Sequence, residues 1–275
     1  MKKLTIGLSV FDDYNGAYFT IQAIRMYHPE VLDNIEFVII NNNPTSAEGK
    51  ALKTLATNWI KEPVQYIEFT DYSSTIVRDK IFEYARTPYV MSVDSHVFIV
   101  PGALQKLINF YDSQADGGNL LQGPLLYDDL KSISTEFRLE WRENMWGIWF
   151  TDPRGEISTN EPFEIEAQGL GLFTCRKSVW PGFNRSFRGF GGEEGYIHHK
   201  FKKIGKKTLC LPFLRWMHRF NRPHGIPYPI SLNDRFRNYL IGFTELGLNT
   251  DEVFEHFKSK ISPEYIQIVK EELKL

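Results

Sequence analysis

The chain has 275 residues, 42% of them hydrophobic and 24% charged, with a formal net charge of −2. This is enough to bury a large core, and the ordinary globular composition excludes a disordered chain. The near-neutral balance argues against a protein that coats nucleic acid over its whole surface, so any polyanionic partner must be met by a local patch.

Only Cys175 and Cys210 occur, far apart, which excludes a disulfide framework or zinc knuckle and fits a cytoplasmic setting. The apolar run that follows Met1-Lys2-Lys3 breaks at Asp12-Asp13, too short for a signal peptide. No stretch approaches the roughly 20 apolar residues of a membrane helix, so no integral membrane segment is expected.

Leu4, Ile6, Leu8 and Val10 predict a first strand, and Ala17, Ile21 and Ile24 share the face of a helix that stops before Pro29. Residues 35–40 form a near-continuous apolar strand that breaks at Asn41-Asn42-Asn43-Pro44. The next helix places Leu52, Leu55, Ala56 and Trp59 on one stripe. A strand over 64–69 and a helix marked by Val77, Ile81, Tyr84 and Ala85 follow, the helix ending before Pro88. Another apolar strand leads to Asp94, and Leu104, Leu107, Ile108 and Tyr111 mark a helix opened by Pro101. A further strand is expected over 120–126. This alternation is the signature of an α/β domain with a mostly parallel sheet, whose ligands bind at the carboxyl ends of the strands. Asp12, Asn42 and Asp94 all fall at such ends.

Residues 127–163 are aromatic, acidic and arginine-rich without a clean period. A strand over 166–174 leads to Gly191-Gly192-Glu193-Glu194 and a helix with Ile197, Phe201 and Ile204 on one face. A short strand over 208–211 precedes a Pro-rich loop carrying Arg215, His218, Arg219, Arg222 and His224. The last 45 or so residues read as helices, one of them capped at Ser262-Pro263-Glu264.

The strongest chemical signal is Val93-Asp94-Ser95-His96. Successive strand residues point to opposite faces, so Asp94 and His96 project to one side, as half of a divalent-cation site; the bland alternative is a strand-end turn capped by Asp94. Glu193 and Glu194 open a helix, where the dipole lowers carboxyl pKa values, while their mutual repulsion raises one of them. Helix capping by both acids is the competing role.

In order and spacing these segments resemble the GT-A glycosyltransferases, close to the large family 2 and, in the metal motif, to polypeptide N-acetylgalactosaminyltransferases. The resemblance covers about residues 4–220. It implies a Rossmann-like, mostly parallel sheet flanked by helices, with a nucleotide-sugar half (1–126), an acceptor half (127–220) and a C-terminal loop and helical extension (221–275). Ser9, Phe11 and Asp12 stand where relatives have a turn that touches the nucleotide, and Asn41-Asn42 where many carry an Asp-Asp pair that reads uracil and ribose. Arg78 stands for a helix arginine near the nucleotide, and Asp94-Ser95-His96 for the Asp-x-Asp motif in its Asp-x-His form. His218 would complete the metal site, with His224 as the fallback. Glu193-Glu194 resembles a Gly-Gly-Glu-Asp segment that faces the acceptor. Arg215, Arg219 and Arg222 suit a lid over the diphosphate. The asparagines at 41 and 42 and the glutamate at 194 depart from the family pattern.

The implied activity is metal-dependent transfer of a sugar from a nucleoside diphosphate sugar, UDP by resemblance, to a hydroxyl acceptor, with Glu194 as the base in an inverting displacement or positioning substrate in a retaining one. The mixed oxygen and imidazole donors favour Mn²⁺ over Mg²⁺. The expected acceptor is a glycan or glycoconjugate. The run Lys200, Lys202, Lys203, Lys206, Lys207 and the platform Trp141, Trp146, Trp149 keep hydroxylated bases of modified DNA as an alternative. A non-catalytic nucleotide-sugar or glycan-binding protein is the rival of another class.

Overall fold

The computed structural model describes residues 2–222 and 225–275. Four strands pair in parallel: β1 (Leu4–Val10), β2 (Ile35–Asn41), β3 (Val64–Glu68) and β4 (Tyr89–Val93), with β1 between β4 and β2. Parallel neighbours need crossover connections, and α1 (Tyr14–Tyr27), α2 (Ala47–Thr54) and α3 (Arg78–Tyr84) supply them. All seven residues of β2 are buried, in keeping with its near-continuous apolar run, and the buried Glu36 accepts from Thr5 Oγ1 and the Arg86 N–H. Gly7 lets α3 lie directly on β1: a Cβ there would stand 1.9 Å from Ile81 Cγ2.

After β4 the chain turns into β5 (Val97–Ile99) and α4 (Ala103–Asp112). The strand expected over 120–126 is two strands in different sheets, β6 (Leu120–Gln122) and β7 (Leu125–Leu126). The break falls at Gly123, where a Cβ would meet the Leu214 carbonyl oxygen at 1.7 Å. β8 (Ile133–Ser134) pairs with β7, and the aromatic stretch forms the hairpin β9 (Glu136–Arg142) and β10 (Met145–Phe150). β11 (Phe163–Ile165) and β12 (Leu172–Arg176) replace the strand expected over 166–174, because Gly169 and Gly171 pass close against Trp149 and Trp216 before pairing resumes.

α5 (Glu193–Lys203), β13 (Thr208–Cys210) and β14 (Trp216–His218) follow. The large sheet runs β11-β13-β6-β12-β4-β1-β2-β3, and a second one β5-β14-β7-β8. β12 is antiparallel to both of its neighbours, so the large sheet is parallel from β4 to β3 and mixed beyond.

The chain closes with α6 (Leu232–Leu246), α7 (Thr250–Phe257) and α8 (Pro263–Leu273), the last capped by Ser262. These helices share a core with Trp141 and Trp146 of the hairpin. Trp59, expected on a buried stripe, is 51% exposed, because the last turn of its helix is a wider π turn over Leu55–Trp59 that shifts the face.

Candidate active site

Asp94, Ser95 and His96 do not continue β4. They form the tight turn between β4 and β5, so the strand pleat expected to align Asp94 with His96 is absent. Tertiary contacts align them instead. β14 runs antiparallel to β5 with His218 opposite Val97, which sets the His218 ring beside His96. Their Nε2 atoms are 2.9 Å apart, and His218 Nε2 is 3.5 Å from Asp94 Oδ2. One ligand atom from each of the three residues falls within 4.8 Å of the others.

Arg78, buried at the start of α3, donates to Asp94 Oδ1 at 2.9 Å and to Thr75 Oγ1 at 2.6 Å, and lies 4.0 Å from Glu193 Oε1. Burial alone would raise the Asp94 carboxyl, but the Arg78 guanidinium and the two imidazoles outweigh it and hold it well below the carboxylate range. Asp13 is held low in the same way, by hydrogen bonds from His96 and Ser95 against its burial. Burial pushes the His96 imidazole down, towards its neutral, lone-pair-bearing form. A carboxylate and two imidazoles on one point are a donor set that holds a divalent cation, and the residues fit that role.

Two cavities meet here. One, of about 50 Å³, is lined by Ser9, Phe11, Asn42, Ser74, Arg222 and Tyr228 together with Arg78, Asp94 and His96. The other, of about 270 Å³, shares Arg78, Asp94, Phe190 and Tyr228 with it and adds Trp149, Trp216, His218, Glu193, Glu194 and Arg235. Burial and the adjacent Glu193 charge push the Glu194 carboxyl up to about 8, so repulsion and desolvation win over the helix dipole. Glu193 Oε2 also accepts from the Gly191 N–H at 2.6 Å, a bond to the loop ahead of the α5 N-cap Gly192; neither acid caps the helix, so the competing capping role is absent.

Of the residues expected around the nucleotide, Ser9, Phe11, Asn42, Arg78 and Ser95 line the smaller cavity. Asp12 and Asn41 do not. Asp12 accepts from Asn43 and Ser46, and Asn41 donates to Gly49 O and Tyr66 OH, so both knit the loops after β1 and β2. Arg219 donates to Asp13 at 3.2 Å, and Arg222 approaches His96 Nε2 at 2.8 Å. Arg215 instead donates to the Gly155 and Glu156 carbonyls, away from these cavities. His224 lies outside the described residues. Trp149 lines the larger cavity, whereas Trp141 and Trp146 pack against the C-terminal helices.

Besides Trp216 and Arg235 in the larger cavity, three residues that shape the site escaped the sequence reading. Asp13, one place after Asp12, bonds Ser95 and His96. Tyr228 packs against Phe11 and Phe190, roofing the junction of the cavities. Ser74 is buried in the smaller cavity with no hydrogen-bond partner for its hydroxyl among the described residues. The Asp12-Asp13 doublet was the one available signal, and it did not say which acid turned inward.

The family model for glycosyl transferase family 2 matches residues 14–170. A sequence search of curated proteins finds no match. Among solved structures, GalNAc-T7 with UDP, GalNAc and Mn²⁺ superposes at a TM-score of 0.65 and 14% identity, over 94% of this chain and 54% of that one. This chain therefore spans about half of the GalNAc-T7 chain. Staphylococcus aureus TarS 1–349 in complex with UDP-GlcNAc gives 0.61 and 11%, over 95% and 77%. The mannosyltransferase PcManGT from Pyrobaculum calidifontis, in complex with GDP-Man and Mn²⁺, gives 0.59 and 10%, over 99% and 79%. At these identities the likeness is one of fold. With that shared GT-A architecture and a family model spanning more than half of its length, the chain belongs to glycosyl transferase family 2.

Proposed function

We propose that this chain transfers a sugar from a nucleoside diphosphate sugar, a UDP-sugar in the first instance, to a hydroxyl of a glycan or glycoconjugate in a metal-dependent reaction. The observation that carries this is the meeting of the Asp94, His96, His218 set with two cavities that Arg78 bridges, one ending at Ser9 and Asn42 and the other at Glu194. GalNAc-T7 and TarS, solved with UDP or UDP-GlcNAc, support the donor class. We assign the nucleotide-sugar side to residues 1–126 and the acceptor side to 127–220, with 221–275 as a supporting extension.

Asp94, His96 and His218 would hold the cation, Mn²⁺ in preference to Mg²⁺ because two of the three donors are nitrogens; when bound it offsets the charge that builds on the departing diphosphate. Arg222 donates to His96 Nε2, and once a cation takes that lone pair its guanidinium would be released to meet phosphate oxygens, which it matches as a fork. Asn42 donates its amide to the Phe69 and Tyr72 carbonyls, which leaves its oxygen to accept from the base. On the acceptor side, Glu194 takes the proton of the attacking hydroxyl as its oxygen bonds to the anomeric carbon and the bond to the diphosphate breaks. A carboxyl near 8 is matched to that task. Trp149, Trp216, Phe190 and Tyr228 give the acceptor an apolar wall and exclude water.

The lysine run favours a glycan over nucleic acid. Lys200 and Lys207 pair with Glu245 and Glu164, while Lys203 and Lys206 donate to the Glu245 and Gly117 carbonyls, so a polyanion would have to displace these contacts. The test is calorimetry with UDP, GDP and CDP and their sugars, with and without Mn²⁺, on wild type and Asp94→Ala. Metal-dependent binding of one nucleotide, lost in the variant, supports the reading. No binding to any of them overturns it. Donor hydrolysis with Mn²⁺ would argue against a merely binding role.

A further inference from the structure

The α1 N-cap makes more bonds than a cap needs. Asp13 Oδ1 accepts from the Gly16 N–H at 3.3 Å, the capping bond, and from Arg219 at 3.2 Å. Its Oδ2 takes shorter bonds, from Ser95 Oγ at 2.6 Å and His96 Nδ1 at 2.7 Å. A serine would satisfy the helix, as Ser46 does for α2. The carboxylate is therefore explained by its side-chain partners, which come from the β4–β5 turn and from the residue after β14.

An ionised carboxylate only accepts, so the His96 proton sits on Nδ1 and the lone pair on Nε2. The opposite side of the ring agrees: Arg222 has only donors to offer, and its Nη2 lies 2.8 Å from His96 Nε2, which must accept. Both neighbours select one tautomer, with the unprotonated Nε2 2.9 Å from His218 Nε2 and within 4.8 Å of an Asp94 carboxylate oxygen; a cation there takes the lone pair that Arg222 engages in its absence. Resting on the metal reading above, we infer that Asp13 is a positioning residue for the cation site. It fixes the tautomer and the plane of the His96 ring, holds Ser95 so that the turn keeps its shape, and ties Arg219 to the same point. A carboxylate behind a ligating imidazole typically governs 10–100-fold of metal affinity.

Asp13→Asn is the discriminating variant, since asparagine caps a helix as well as aspartate does but cannot accept from Ser95, His96 and Arg219 together. Three readouts apply: the thermal midpoint without metal, Mn²⁺ affinity by calorimetry without nucleotide, and the nitrogen couplings of bound Mn²⁺ by pulsed electron paramagnetic resonance. The expected result is a metal-free midpoint close to wild type, affinity about 10–100-fold weaker, and a weakened or lost coupling from one of two imidazoles. Asp13→Ser, which keeps the cap without reaching the ring, is the second variant should the first fail to fold. A lower midpoint with unchanged Mn²⁺ affinity makes Asp13 a structural cap and overturns the inference while leaving the metal reading intact. If wild type binds no Mn²⁺, the metal reading and the inference fall together.

Discussion

Glu194 makes a sharp prediction from a single side chain. Its carboxyl stands at about 8 against an ordinary 4.5, raised first by burial and then by Glu193. As the base it must be ionised, so transfer should accelerate as pH rises and level off above about 8. Stability runs the other way. Between the two values the folded state keeps a proton that the unfolded chain has released, so unfolding free energy falls with rising pH across that window. Glu194→Gln should therefore flatten the decline in urea midpoint between pH 5 and pH 8, while lowering the transfer rate by about 100-fold or more. A rate within a few-fold of wild type would assign Glu194 to substrate positioning. At this scale His218 was legible only as a histidine after a late strand, because the partner that gives it meaning, His96, is separated from it by 122 positions and meets it only through β5–β14 pairing.

At the scale of elements, α6 holds the loop that leads into α5. Asn238 accepts from the Arg188 N–H at 2.9 Å and donates to the Arg188 and Gly191 carbonyls at 2.7 and 3.0 Å. Gly192, at φ 91°, turns the chain into α5 beside it. Asn238→Ala leaves those backbone groups unpaired and should cost about 1–3 kcal/mol, read as a lower urea midpoint. Because Gly191 N–H bonds Glu193, the same change should also reduce kcat more than donor binding. A variant that loses stability with kcat untouched would show that α6 supports the fold alone. That the last 45 or so residues are helical was legible, one start being marked by the Ser262 cap, but their docking was not. It depends on Tyr239 OH meeting the Trp146 N–H and on Trp141 stacking with His256, contacts between chain segments about a hundred residues apart.

For the whole molecule, ligand linkage links site to fold. A cation and nucleotide that bind only the folded state stabilise it by about 2.7 kcal/mol at a hundredfold excess over Kd. Adding Mn²⁺ and UDP together should therefore raise the thermal midpoint by several degrees, a chelator should reverse the shift, and Asp94→Ala should show none. A shift that survives in Asp94→Ala would move the binding site elsewhere. Within the fold, Arg78 joins the two cavities, since it lines both and its one guanidinium meets Asp94 and approaches Glu193.

The sequence by itself determined the run of parallel strands and helices from Leu4 to Val93, since a strand buried on both faces must be largely apolar and a crossover helix must show a 3.6-residue stripe. It also singled out Asp94, His96, Glu193 and Glu194, acids and imidazoles left where apolar runs or glycines end. Only the tertiary structure decided how they are aimed. Asp94 and His96 lie in a turn rather than a strand, so Asp13, Arg78 and the β14 pairing fix their directions; Asp12 and Asn41 turned to loop bonding; and Tyr228 came from beyond position 220 to roof the site. Side-chain direction outside a regular element has no period to read, because it is set by partners that the chain brings near only on folding.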